Sequence, residues 1–215
     1  MKVGTDGVLL GAWTAIGTAK RVADLGAGTG LISLMIAQES TAFVTAIEID
    51  EASAKQCDEN FKNSPWAERL QVVKQDVFRY EPTELFDVVV SNPPYHVENI
   101  LSPRKERALA RSAEIPLHFW LEKAFHLCHE DGVFSWIIPA HKEEEILHQA
   151  QRIGWFPDKI TRVKPNKHKP SVRTLFQFRK KKTELLSDEL IIETEQRGIY
   201  TEAYRSLCKA YYLKF

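Results

Sequence analysis

A strand that runs into closely spaced glycines and then into a helix restricts a fold more than any composition figure. Residues 21–30, Arg-Val-Ala-Asp-Leu-Gly-Ala-Gly-Thr-Gly, read as that junction, with 31–38 as the helix. The pattern then alternates: strand 43–49, helix 52–61, strand 70–74, strand 86–91, helix 116–128, strand 133–138 and helix 142–152. Residues 86–91 are apolar at consecutive positions, as in a parallel strand buried on both faces. In 116–128 the apolar residues Leu117, Trp120, Leu121, Ala124, Phe125 and Cys128 share one helical face. Such alternation calls for right-handed crossovers and an α/β, Rossmann-like, doubly wound and mostly parallel sheet.

After residue 156 the alternation stops. Residues 159–163 and 172–178 are strand-like and joined by a Lys/Pro/Asn-rich connection, which predicts an antiparallel C-terminal hairpin at one end of a seven-stranded sheet. The tail, a strand near 190–192 and a helix from 201, is expected to pack against that edge. With 215 residues, no repeat and no linker, the chain is expected to be one domain spanning 1–215.

The glycine turn also suggests a ligand site, because ligands of open α/β sheets bind beyond the carboxyl ends of the strands. The spacing at 26, 28 and 30 is GxGxG, and Leu31 breaks the dinucleotide pattern GxGxxG. That favours a ligand without a pyrophosphate. Asp24, just before the glycines, is placed to hold an ammonium group, directly or through water. Glu48 ends the next strand about twenty residues on, where a carboxylate can accept both ribose hydroxyls. Asp76, with Val77 and Phe78, follows the third strand and can accept from an adenine amino group. Each acid alone has an ordinary reading as a surface or turn residue. Their order at three successive strand ends points to S-adenosylmethionine.

Ser91-Asn92-Pro93-Pro94-Tyr95 follows the fourth strand. The lone pair of an exocyclic amine is delocalised into its ring, so the amine is a poor nucleophile. Two acceptors for the amino hydrogens, the Asn92 side-chain oxygen and the Pro93 carbonyl, favour a pyramidal nitrogen, and the paired prolines fix the backbone between them. Tyr95 offers a stacking face, worth about 1–3 kcal/mol for a base. The chemistry is then positioning and electrostatics for an in-line displacement, without a strong general base.

Other chemistries find less support. His96, His118, His126, His129, His141, His148 and His168 form no HExxH or HxH arrangement, so no metal is expected. Cys57, Cys128 and Cys208 are an odd, widely spaced set and read as reduced, buried thiols. No apolar run approaches the ~20 residues of a membrane span, and the N-terminus lacks a signal-peptide pattern. A soluble, cytoplasmic monomer without membrane partners is expected.

Basic and acidic residues balance at 29 each, so only local charge can point to a polyanion. Residues 159–182 hold ten Lys/Arg and no Asp or Glu, among them Lys164, Lys167, Lys169 and Arg173. Arg104, Lys105, Arg107 and Arg111 form a second cluster. Both read as RNA footprints, or alternatively as a lysine-protected hairpin edge and an ordinary exposed helix.

The whole chain resembles the bacterial adenine-N6 methyltransferases that modify a valine tRNA beside its anticodon. The resemblance rests on the opening 1–13, Met-Lys-Val-Gly-Thr-Asp-Gly-Val-Leu-Leu-Gly-Ala-Trp, on 24–30, on Ala46-Ile47-Glu48-Ile49-Asp50, and on Asn92 to Tyr95. It continues through 104–111, Tyr200-Thr201 and Tyr211-Tyr212-Leu213. It implies a tRNA substrate and places Lys2, Thr5 and Asp6 near the methionine part of the cofactor. Thr5 or Asp6 as the cap of a helix starting near Val8 is the alternative. Family members usually carry a short segment before this opening motif. The cofactor set is therefore Lys2, Thr5, Asp6, Asp24, Gly26, Ala27, Gly28, Thr29, Gly30, Glu48, Ile49, Asp76, Val77 and Asn92. The catalytic set is Asn92, Pro93, Pro94 and Tyr95; the RNA set is Arg104, Arg107, Arg111, Lys164, Lys167, Lys169 and Arg173.

Three other functions compete. Protein glutamine-N5 methyltransferases share the Asn-Pro-Pro-Tyr turn but usually carry an extra N-terminal helical domain, for which there is no room here. Guanine-N2 enzymes acting on rRNA more often have Phe after the prolines. A non-catalytic RNA-binding module with the same fold would have no need of Asp24, Glu48, Asp76 and Asn92 together.

Overall fold

The computed structural model describes residues 4–93 and 116–212. Helix α1 (Thr5–Trp13) precedes β1 (Arg21–Leu25), followed by α2 (Leu31–Glu39), β2 (Phe43–Glu48), α3 (Glu51–Lys62), β3 (Leu70–Lys74) and β4 (Phe86–Ser91). Beyond residue 115 come α4 (Leu117–Leu127), β5 (Cys128–Pro139), α5 (Glu143–Ile153), β6 (Phe156–Lys164), β7 (Arg173–Arg179), β8 (Leu186–Ile191) and α6 (Glu202–Cys208).

The strands form one sheet in the order β3-β2-β1-β4-β5-β7-β6-β8. All run parallel except β7, which pairs antiparallel with β5 and with β6. The β6–β7 hairpin is therefore present, but β8 pairs along the far side of β6 and raises the sheet to eight strands.

Period-two side-chain alternation explains why the central strands are apolar throughout. Val88 and Val90 face a core built with Leu9, Leu10, Trp13, Ile32 and Met35 of α1 and α2. Val89 faces the opposite core, with Trp120, Leu121 and Ala124 of α4 and Ile146 and Ala150 of α5, and Phe86 joins that core ahead of the register shift between β4 and β5. Both faces thus exclude water, which parallel sheets require. Chain direction across the sheet reverses between β1 and β4, which creates the crevice of a doubly wound fold.

Local chemistry fixes the helix ends. The Asp50 side chain accepts from Ser53 N–H at 2.9 Å and caps α3. Arg69 donates to the carbonyls of Ala37, Ser40 and Ala42, each at 3.0 Å, and so closes the C-terminal end of α2. Helix α1 differs from the reading above: it starts at Thr5 with Gly4 as N-cap and no side-chain cap bond, so Thr5 and Asp6 belong to its first turn. Strand β5 starts earlier than position 133, because Cys128 already pairs with Phe86 before a register shift.

Glycine is required at position 30. Its φ is +84°, and an added Cβ would lie 2.6 Å from both Cys57 Sγ and Phe61 Cε1 of α3. Gly30→Ala combines left-handed backbone strain with overpacking of a close-packed contact. It is expected to lower the unfolding free energy by about 2–4 kcal/mol, measured by urea denaturation. An unchanged urea midpoint would contradict this account of the turn.

Candidate active site

Strand register assembles the site. Leu25 pairs with Ile47 on one side and with Ser91 on the other, and Ile47 pairs with Val73. The carboxyl ends of β4, β1, β2 and β3 are therefore level, and the segments after them share one edge. Backbone bonds lock them together: Gly26 and Ala27 N–H both donate to Ile47 O, at 2.9 and 3.1 Å, and Gln75 N–H donates to Glu48 O at 3.0 Å. The Ser91 hydroxyl donates to Leu25 O at 2.9 Å across the crevice.

Asp24 is fully buried. Its Oδ2 accepts from Ser33 Oγ at 2.7 Å, while its buried Oδ1 has no hydrogen-bond partner among the described residues. Burial pushes the carboxyl up to about 7; Ser33 hydrogen bonds oppose that shift and the nearby Glu48 charge adds to it. Ser33 was not singled out in the sequence, although it is the polar residue inside the apolar run 31–37 of α2.

Glu48 is held at both oxygens. Oε2 accepts from Gly28 N–H and Oε1 from Asp50 N–H, each at 2.8 Å. The carboxylate thus fixes the glycine loop and still keeps acceptor capacity on each oxygen. Asp76 Oδ1 accepts from Phe78 N–H at 2.9 Å, so this residue does shape its own turn. Val77 is buried, and Phe78 stands edge-on to Trp120 with ring centroids 5.2 Å apart. The Trp120 ring also lies 3.5 Å from where a Gly26 Cβ would be. Beside Glu48, Ile49 leaves 56 % of its surface exposed.

Of the transfer turn, Asn92 is half-buried and Pro93 buried. The Asn92 Nδ2 atom lies 3.9 Å from the position of a Cβ on Gly7, so the side chain is next to the first turn of α1. Pro94, Tyr95, Lys2, Arg104, Arg107 and Arg111 lie outside the described residues. Thr5 is exposed at the start of α1. Asp6 does not stand alone: its Oδ2 accepts from Arg173 Nε at 2.8 Å.

Most of the basic hairpin has local partners. Lys164 pairs with Glu189 at 2.7 Å, Lys167 with Glu195, Arg179 with Asp158 at 2.5 Å and Lys181 with Asp131 at 2.6 Å. Arg162 is held by Glu143, and Lys180 lies over the Phe125 ring. These acids lie outside 159–182, so a count restricted to that stretch misses them. Lys169 is exposed in the β6–β7 turn. Since β6 runs parallel to β4, that turn projects from the same edge as the glycine loop.

Among the described residues, no group of three His, Cys, Asp or Glu could hold a metal. Cys57, Cys128 and Cys208 are buried free thiols. Burial raises Cys128 to about 12 and Cys208 to about 11, and pushes Cys57 higher still, which disfavours thiolate chemistry. No helix of the described residues is long and apolar enough to cross a membrane.

The donor set suits an adenosyl amino acid. A buried carboxylate oxygen lacks a donor, a second carboxylate is preset for hydroxyls, and an exposed Ile49 directly follows Glu48. The segments that carry Asp24, Glu48, Ile49, Asp76 and Val77 lie along this one edge of the sheet.

Sheet order and site together define a class I methyltransferase. Residues 4–118 match the methyltransferase small domain model. The chain is 43 % identical to a tRNA1(Val) (adenine(37)-N6)-methyltransferase of Flavobacterium psychrophilum, over 100 % of this chain and 93 % of that one. It is 40 % identical to the protein of the same name from Phocaeicola vulgatus, over 99 % and 91 %. The chain belongs to the family of these methyltransferases. Among solved structures, a protein described as a predicted O-methyltransferase from Agrobacterium tumefaciens superposes with a TM-score of 0.75 at 22 % identity, over 95 % of this chain and 96 % of that one. A ribosomal protein L11 methylase from Lactobacillus delbrueckii gives 0.60 at 16 %, over 82 % and 77 %. These two likenesses concern the fold.

A carboxyl whose folded pKa exceeds its unfolded value contributes stability below the unfolded value and loses it as pH rises through the folded one. For Asp24 the window runs from 3.8 to about 7. Without cofactor, the chain is expected to lose on the order of 4 kcal/mol across it through this group. Asp24→Asn should remove that loss, so its stability relative to the parent should rise between pH 5 and pH 8 in urea titrations. Identical pH profiles for the two proteins would refute the burial argument.

Proposed function

We propose that this chain transfers a methyl group from S-adenosylmethionine to N6 of an adenine in tRNA, at the adenine beside the anticodon of a valine tRNA. One observation carries the reading. Asn92 and Pro93 leave β4 level with the Asp24 and Glu48 turns, so the acceptors for an amine lie beside the carboxylates for a cofactor. The names of the full-length relatives support the tRNA substrate.

S-adenosylmethionine, when bound, supplies an electrophilic methyl group. The protein supplies geometry. The Asn92 side-chain oxygen and the Pro93 carbonyl each accept one hydrogen of the adenine amine, which turns its lone pair out of the ring plane. Tyr95 stacks on the base, and Pro94 stiffens the turn. The methylated nitrogen is acidic, and its surplus proton leaves to water. Lys2, Thr5, the glycine loop 26–30 and Asp76 complete the cofactor contacts. Lys164, Lys167 and Lys169, with Arg104, Arg107 and Arg111, take the RNA phosphates, and one domain does both the binding and the transfer as a cytoplasmic monomer.

The direct test is transfer of labelled methyl to total tRNA lacking the modification, followed by nucleoside analysis. Label should appear as N6-methyladenosine. Label in protein instead would support glutamine methylation and defeat the RNA reading. Asn92→Ala should reduce turnover at least a thousandfold while cofactor affinity stays within a few-fold, about the loss of one preset acceptor or more. Near-normal turnover would remove Asn92 from its role.

Replacing Lys164, Lys167 and Lys169 together by Gln should flatten the dependence of tRNA binding on salt, lowering the log–log slope by about two. An unchanged slope in filter binding would mean that Lys164 and Lys167 serve only their carboxylate partners, Glu189 and Glu195, and that Lys169 meets no phosphate.

A further inference from the structure

Helix α1 joins two regions that lie far apart along the chain. On one side it lies against the cofactor half. A Cβ on Gly7 would be 3.2 Å from Leu31 Cδ2 and 3.9 Å from Asn92 Nδ2, and one on Gly11 would be 2.7 Å from Met35 Sδ. On the other side three polar contacts tie it to the hairpin strands. Asp6 Oδ2 accepts from Arg173 Nε at 2.8 Å, Trp13 Nε1 donates to Thr161 Oγ1 at 2.8 Å, and Lys159 Nζ lies 4.6 Å from the centre of the Trp13 ring.

Of the three, the Asp6–Arg173 pair is at the carboxyl edge. Its partners are mostly buried, with side chains 29 % and 27 % exposed. Arg173 is itself fixed, since it begins β7 and pairs in register with Pro139 of β5 and Val163 of β6. Asp6 lies one residue from Gly7, whose backbone borders Leu31 and Asn92, and the first turn of α1 has no side-chain cap to hold it otherwise.

We infer that Arg173 is a positioning residue for the cofactor site, acting through Asp6 to seat the first turn of α1 against Leu31 and Asn92, and that it is not a phosphate ligand. The inference rests on the site assignment proposed above. A half-buried charge pair that fixes a helix end transmits position because neither partner can leave without exposing the other unpaired.

A double-mutant cycle with S-adenosylhomocysteine as calorimetric probe tests it. Arg173→Met and Asp6→Asn should each weaken binding about tenfold, and the double variant no more than either alone. Arg173→Lys, which keeps the charge, should stay within threefold. The KM for tRNA should move less than twofold throughout, a split that general loosening of the fold would not give. If Arg173→Met does not fold, Asp6→Asn alone and combined with Arg173→Lys still decides, with equal tenfold losses expected.

Unchanged binding by Arg173→Met or by Asp6→Asn would overturn the inference. So would a loss of about one in the salt slope of tRNA binding with Arg173→Met and none with Asp6→Asn, which would make Arg173 an RNA contact. Failure of the unaltered chain to bind the probe would overturn the site assignment, and the inference with it.

Discussion

The pairing of Leu25 with Ile47 on one side and Ser91 on the other brings three strand ends to one height, and the chemistry at the carboxyl edge depends on it. Parallel strands cannot be joined by tight turns, so α2 and α3 carry the chain back after β1 and β2, a 3-10 turn at Val77–Arg79 and a loop do so after β3, and β1 to β4 all end at the same edge. Asp24, Glu48, Asp76 and Asn92 are far apart in sequence yet become neighbours through backbone pairing alone. A slip of one residue in β1 would turn Asp24 toward the other face of the sheet and dismantle the site.

This dependence explains what could be read in advance. The bounds of β1, β3 and β4 follow from short apolar runs ending at glycine, aspartate or Asn-Pro, and the structure has the same bounds. Asp24, Glu48 and Asn92 stand out for the same reason, since a strand end is a local event, and strand register brings all three to one edge. Ser33 was not, because its role depends on which face of α2 meets Asp24. The charge state of the hairpin was not either. Ten basic residues within a stretch of 24 read as a phosphate footprint, but Asp6, Asp131, Asp158, Glu143, Glu189 and Glu195, all outside that stretch, pair with several of them. The eighth strand was read only as a fragment near 190–192, since most of β8 is exposed and polar and carries no apolar signal.

In the proposed site, Asp24 is costly in isolation and suited to its task. A buried carboxylate with one unpartnered oxygen is unfavourable unless a cation arrives. Ser33 offsets part of that cost and fixes the orientation of the other oxygen. Glu48 is arranged differently: two backbone N–H groups hold it as an acceptor before any hydroxyl is present. One carboxylate is thus tuned by what it lacks and the other by what already binds it.

Strand β7 is the antiparallel member of the sheet, and this has a consequence for how such a chain can diversify. Its turn with β6 is a hairpin at the carboxyl edge, where the cofactor segments are instead strand-to-helix turns. Lengthening an exposed hairpin tip costs little, about 0.6 kcal/mol per doubling of loop length. Arg173 and Val163 close the hairpin below the tip, so residues inserted between them leave the α1 contacts in place. New substrate surface can therefore be grafted at this one position while the cofactor cradle is inherited unchanged.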